Sequence, residues 1–304
     1  MLSNHVARYV ALYRQLGLKF DEQHRTLCQF ASYAEARGDS HTRIVRIHDW
    51  CATASTPTRA RTCYDFVRRF CVFLNAEDHR HEVPPAGAFG RGKRPRPAPH
   101  LLEPDQVRAI MAAALELAPK DSIRPHTYHH LFGLLAATGL RISEALALRR
   151  DDVTDDGLIV RCGKLGKSRL LPLHVTTRQA LTDYRLVRDR LGGAGDDLFV
   201  VTTGRAPHKV TAHVIFVRIA RALGLREADR TPGPRLHDLR HTFAVRSLEA
   251  CPHDREAVDN HMAALSTYLG HADVNNTYWY LEATPVLLHD IARANEQLFE
   301  GGAA

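Results

Sequence analysis

A chain of 304 residues with an apolar fraction of 44% can bury two cores, and its net charge of +7, carried mainly by Arg, points to a polyanionic partner. No apolar run reaches the roughly 18 residues of a bilayer-spanning helix, so a membrane protein of that kind is excluded. Met1-Leu2-Ser3-Asn4-His5 lacks a cationic start followed by an apolar block, so the expected location is the cytoplasm.

From Ser3 to about Asn75 the period is helical. Val6, Tyr9, Val10, Tyr13 and Leu16 share one helix face. Gly17 marks a stop and Asp21 a fresh N-cap, and Leu27, Phe30, Ala31 and Ala34 form the next stripe before Gly38. Two more helices are predicted, around Ile44 to Cys51 and through Ala60 to Leu74, making residues 1–83 a helical bundle. Arg59, Arg61, Arg68 and Arg69 form either its DNA side or a solvated face with Asp65.

Residues 84–100 turn abruptly to Pro, Gly and base, a composition that supports neither a helix nor a central strand. Arg91, Lys93, Arg94 and Arg96 lie within six residues, a density that a neutral hinge would not need and that suits a strap along a phosphate backbone.

The second domain, 101–285, opens with Pro104 near a helix start and Val107, Ile110, Met111 and Ala114 on one face. A helix from about Thr127 to Thr138 stops at Gly139, and Arg141 follows at a junction flanked by Leu140 and Ile142. A guanidinium there needs an anion, which Glu144 or a ligand phosphate could supply. Leu158–Cys162 and Arg169–Leu173 read as strands around a glycine-bearing turn that carries Lys164 and Lys167.

Helices are predicted at Thr176–Leu191 and Thr211–Leu223, and another begins near Pro234. In it His237 and Arg240 lie three apart and share a face, while His241 points elsewhere. The segment from Arg240 to His271, through Cys251 to Glu256, reads as a long polar loop into Leu269-Gly270-His271. Asn276 or Thr277 then caps a helix that carries Tyr280 nine positions beyond His271, and Tyr278, about 200° away on that helix, faces elsewhere. Val286, Leu287, Ile291, Ala294 and Leu298 form a last amphipathic helix within 286–304. The six cysteines show no C-x-x-C pair and no zinc spacing, so reduced thiols and no metal site are expected.

In this order, Thr138-Gly139-Leu140-Arg141-Ile142-Ser143-Glu144, the Gly163-Lys164 turn, His237-x-x-Arg240, Leu269-Gly270-His271 and Tyr280 resemble the tyrosine recombinase, or phage integrase, family. The resemblance implies a mainly α fold with a small antiparallel β-hairpin or sheet, in which a helical core-binding domain precedes the catalytic domain. It implies that Tyr280 attacks a DNA phosphodiester, leaving a 3′-phosphotyrosyl link, with Arg141 and Arg240 on the non-bridging oxygens. Lys164 would be the general acid for the 5′ oxygen, with Lys167 a nearby DNA contact. His237 and His271 would support, His237 nearest a general base.

The chemistry needs neither cofactor, metal nor ATP. Paired guanidiniums can hold the charge that gathers on the phosphoryl oxygens, and the phosphotyrosyl bond conserves the energy for rejoining. The implied partners are double-stranded DNA with specific core sites, further copies of the chain in a tetramer on that DNA, and accessory proteins. A DNA-relaxing enzyme like the type IB topoisomerases and a DNA-binding factor without catalysis are the alternatives.

Overall fold

The computed structural model describes residues 1–90, 99–161, 168–227, 233–251, 255–271 and 275–282, apart from the side chains of 255, 256, 275, 276, 281 and 282. The chain divides into two compact units, Met1–Arg96 and Pro97–Ala304.

In the first unit the apolar stripes fold as α1 (Leu2–Gln15), α2 (Asp21–Glu35), α3 (Ile44–Ala52) and α4 (Pro57–Asn75). Val6, Tyr9 and Val10 meet Leu27, Phe30, Ile47, Val67 and Phe70 in one core. Asp21 is the first residue of α2 and not its cap; that position falls to Phe20 at φ 53°, where its ring stacks on Tyr13 with centroids 4.4 Å apart. α4 starts three residues earlier than its stripe predicts, because Thr56 accepts a hydrogen bond from the Arg59 N–H and Pro57 suits the first helical position.

The first part of the predicted linker packs on α4. Tyr64 Oη donates to Pro85 O at 2.8 Å, Arg68 Nε to Pro84 O at 3.1 Å, and Arg61 to Phe89 O at 3.3 Å. One edge of α4 is therefore occupied by chain and not by water.

In the second unit α5 (Pro104–Leu115) starts with a Gln106 amide oxygen that accepts from the Glu103 N–H. α6 (Ile123–Thr138) is buried on most sides, as its dense Leu and Ala imply, and α7 (Ile142–Ala145) follows Gly139. A short 3-10 turn at Arg150–Asp152 leads into β1 (Val153–Thr154), β2 (Gly157–Val160) and β3 (Arg169–Leu171). The sheet is antiparallel in the order β1-β2-β3, with Leu158 opposite Leu171 and Val160 opposite Arg169. The two-residue β1 is too short to show a period in the sequence.

α8 (Val175–Leu191), α9 (Lys209–Ala222) and α10 (Asp238–Glu249) follow, and then α11 (Arg255–Leu269) and α12 (Asn275–Glu282). α11 corrects the expected loop: much of that stretch is helix, and Met262, Leu265 and Leu269 pack on Ala244, Val245 and Leu248 of α10. α12 begins at Asn275, ahead of the predicted caps, so Thr277 lies inside it. The expected helix within 286–304 lies outside the described residues. Among the described residues no helix is long and apolar enough to cross a membrane.

Candidate active site

The site is built around one backbone carbonyl. α11 ends at Leu269, whose oxygen accepts from Arg240 Nη2 at 2.9 Å and from Arg141 Nη1 at 3.3 Å. Arg141 Nη2 donates to Gly270 O at 3.0 Å, and Arg240 Nη1 to Gly139 O at 2.7 Å. Two guanidiniums from distant parts of the sequence are thus locked side by side by carbonyls from the two glycine turns.

Both turns require glycine. Gly139 has φ +60°, and a Cβ there would lie 2.5 Å from Phe243 Cδ1. Gly270 has φ +65°, and a Cβ there would lie 2.7 Å from Arg169 Nη1.

Glu144 supplies the counter-charge. Its Oε1 accepts from Arg141 Nη1 at 2.8 Å, and its Oε2 accepts from Arg169 Nη2 at 3.1 Å and from the Arg141 N–H at 3.0 Å. Burial alone would raise this carboxyl, but the Arg169 and Arg141 guanidiniums hold it below its usual range. Of the two anions that sequence allowed for Arg141, the carboxylate is therefore present, but it neutralises only part of a group of three guanidiniums. Burial, with repulsion from Arg141, lowers Arg240 to about 10, still a cation at neutral pH. A positive pocket so held in advance is suited to an incoming oxyanion.

His271 meets this pair directly, its Nε2 lying 2.8 Å from Arg240 Nη2. A guanidinium only donates, so Nε2 accepts, the ring proton sits on Nδ1, and Nδ1 donates to Thr277 Oγ1 at 2.7 Å. Burial and the surrounding Arg240, Arg141 and Arg169 cations push this imidazole down to about 4.

Tyr280 is buried against the α10–α11 core, its ring 6.3 Å from that of His271 and nearly parallel to it. Tyr278, half a turn away on the same helix, is exposed. His237 stands at the N-cap position of α10 and is exposed.

Of the six residues singled out for chemistry, Arg141, Arg240 and His271 converge on the end of α11 through direct hydrogen bonds, the Tyr280 ring lies 6.3 Å from that of His271, and His237 stands at the start of the helix that carries Arg240. Lys164 and Lys167, between β2 and β3 in sequence, lie outside the described residues, as do Arg91, Lys93, Arg94 and Arg96. On α4, Arg59 pairs with Glu22 at 3.0 Å, Arg61 and Arg68 hold the 84–89 stretch, and Arg69 is exposed.

Sequence reasoning missed Arg169, Thr277 and His241. Arg169 opens a strand and Thr277 resembles a cap, so nothing local marks either. His241 was expected to point away; instead its Nδ1 lies 3.2 Å from Tyr280 Oη. Adjacency to Arg240 was the available signal, because α12 packs on α10.

Among the described residues His41, Asp78 and His81 have ligand atoms within 4.8 Å of one another, as a metal site would. Those atoms are already engaged. His81 Nδ1 accepts from the Thr42 N–H at 3.1 Å, which leaves the ring proton on Nε2, and Arg80 grips the Asp78 carboxylate through Nε and Nη2. Cys28, Cys51, Cys63, Cys71 and Cys251 are free thiols.

Residues 100–285 match the model of the phage integrase family. A protein of Sinorhizobium fredii described as integrase/recombinase y4rB is 36% identical over 97% of both chains. The tyrosine recombinase XerD of Brucella suis is 29% identical over 85% of this chain and 82% of its own. In fold, the chain is similar to a lambda integrase solved as a tetramer bound to a Holliday junction, with a TM-score of 0.63 and 19% identity over 91% of this chain and 76% of the other.

Proposed function

The chain belongs to the phage integrase family, and from that premise we infer that it is a site-specific DNA recombinase that cuts and rejoins duplex DNA through a covalent phosphotyrosyl intermediate. Tyr280 Oη attacks a scissile phosphorus in line, the 3′-phosphoryl group becomes joined to the phenol, and the 5′ oxygen leaves. Arg141 and Arg240 hold the non-bridging oxygens, a task for which forked guanidiniums are better shaped than ammonium groups. His271 and His237 stand beside them as hydrogen-bonding supports. Lys164 protonates the leaving 5′ oxygen, since an alkoxide leaves poorly without a proton donor.

The observation that carries this reading is the sharing of the Leu269 carbonyl by two guanidiniums, one of which also bonds His271. Charge gathers on the phosphoryl oxygens during transfer, and donors fixed beforehand need no reorganisation to meet it. The sequence between β2, which ends at Val160, and β3, which opens with Arg169, spans only eight residues, so Lys164 stays close in sequence to Arg169, itself bonded to Glu144.

The helical unit and the basic residues Arg91, Lys93, Arg94 and Arg96 bind the duplex flanking the cut, with Arg59, Arg61, Arg68, Arg69 and Lys167 as further contacts. Those of α4 that hold neighbouring chain would have to exchange partners to do so, which makes the exposed Arg69 the foremost of the four. Core sites of defined sequence, assembly as a tetramer, accessory proteins and action in the cytoplasm complete the proposal. The solved tetramer of the lambda integrase on a Holliday junction supports the assembly by likeness of fold. Family membership favours this reading over a DNA-relaxing enzyme.

A duplex whose nick lets the cleaved end diffuse away should trap the protein on DNA. Tyr280→Phe should abolish that adduct and leave DNA binding intact. Loss of the adduct on Tyr278→Phe instead would overturn the assignment.

A further inference from the structure

We propose that Arg169 is a positioning residue for the cleavage step, which aims Arg141 at the phosphate by holding Glu144 and the end of α11; the role rests on the recombinase reading above and deepens it. The Arg169 guanidinium binds in two directions at once. Toward α7, Nη1 donates to Glu144 Oε1 at 3.3 Å and Nη2 to Glu144 Oε2 at 3.1 Å. Toward α11, Nε donates to Tyr268 O at 2.9 Å. The same group lies against Gly270, where a Cβ would come within 2.9 Å of Arg169 Cζ.

Three consecutive carbonyls at the end of α11 are therefore held by guanidiniums: Tyr268 O by Arg169, Leu269 O by Arg240 and Arg141, and Gly270 O by Arg141. A helix leaves its last carbonyls without intrahelical donors, and cations are drawn to that end. Arg141 thus hangs on two supports, the Glu144 carboxylate and the turn after α11, and Arg169 is bonded to both. All three nitrogens of Arg169 face protein acceptors, so its influence on a bound phosphate passes through the groups it holds.

Arg141 gives the carboxylate one guanidinium nitrogen, whereas Arg169 gives it two in the paired geometry suited to a fork. Against burial, Arg169 is the strongest of the groups that keep Glu144 ionised. Without it the charge of the carboxylate would fall on Arg141 alone and draw that fork away from a phosphoryl oxygen. Tyr268 O would at the same time lose its donor, one residue before the carbonyl that Arg141 shares with Arg240. Arg169 can resist both shifts because its backbone is fixed in the sheet, opposite Val160 of β2. Misplacing a reacting group by about 1 Å costs about 100-fold, and Arg141 would keep its other bonds, so the loss expected is about 30-fold in the chemical step.

The test uses the full chain and a nicked duplex carrying its core site, and it reads DNA affinity and the rate of adduct formation at saturating DNA separately. Arg169→Gln should lower the rate about 30-fold and change the Kd by less than about twofold. Arg169→Lys, whose single ammonium can reach Glu144 or Tyr268 O but not both, should lose about fivefold, and it carries the same comparisons if Arg169→Gln does not fold. In an Arg141→Lys background the fork to be aimed is already gone, so Arg169→Gln should cost less than about threefold more and Arg169→Lys less than about twofold. A full repeat of the single-variant loss in that background would mean that Arg169 acts apart from Arg141, and would overturn the proposal. A saturating rate within about twofold of wild type in both Arg169 variants would overturn it too, as would a loss confined to the Kd, which would make Arg169 a DNA contact. Each of these results leaves the recombinase reading intact. A wild-type chain that forms no adduct would remove that reading, and the proposal with it.

Discussion

Glu144→Gln would remove the charge that balances the arginine group while keeping the shape of the side chain. The Glu144 side chain is 6% exposed, and both of its oxygens accept from guanidiniums. The amide would keep one acceptor, lose the charge and turn an N–H donor toward Arg141 or Arg169. Removing one partner of a buried ion pair costs about 3–5 kcal/mol. Arg169 and Arg141 are 15% and 24% exposed, so water relieves part of this and the expected loss is about 2–3 kcal/mol.

At about 2 kcal/mol per molar urea, the unfolding midpoint of the second unit should fall by about 1–1.5 M. The two tryptophans are Trp50 and Trp279, one in each unit, so Trp279 fluorescence in a Trp50→Phe background follows the second unit alone. Glu144 has a lowered folded pKa, so its contribution is complete above the unfolded value and is lost as pH falls through the folded one. The difference between Glu144→Gln and its parent should accordingly close in acid. A midpoint within about 0.3 M of the parent at pH 7 would refute the view that this carboxylate holds the arginines in place.

Arg141→Lys should slow adduct formation about 100-fold with DNA affinity changed by less than about twofold, since a point charge cannot span two phosphoryl oxygens; a near-normal rate in a single-turnover assay would remove the role given to Arg141. Gly139→Ala should cost about 2–3 kcal/mol from the left-handed backbone and the Cβ contact with Phe243, read as a fall in the melting temperature of the second unit. Burial, and then His237, lower His241 to about 4 against the usual 6.5 of an imidazole, so its contribution is whole above pH 6.5 and is lost between 6.5 and 4. That loss amounts to about 3 kcal/mol. The difference in urea midpoint between wild type and His241→Asn should therefore change over that interval, and a constant difference would contradict the shift. Tyr278→Phe should leave the adduct rate within about twofold, because that phenol is 49% exposed on the opposite side of α12.

Helices α1 to α6, the stops at Gly17 and Gly139 and the ordered motifs from Arg141 to Tyr280 could be read from the chain, because periodicity, capping and left-handed turns are properties of a few adjacent residues. α11 could have been read as well: Val258, Met262, Leu265 and Leu269 keep a helical stripe beneath its polar surface. Local pattern could not reveal that the carbonyl at its end would receive both Arg141 and Arg240, nor that Arg169 would share Glu144 with Arg141. His241 shows the divide most clearly. Its place on α10 is set by helical geometry, but its meeting with Tyr280 depends on how α12 packs on α10, through a core that joins Leu248, Leu265 and Tyr280 from distant parts of the chain. Hydrogen bonds across such crossings act over about 3 Å, so only the assembled core, and no spacing along the polypeptide, brings the phenol, imidazole and guanidinium within reach of one another.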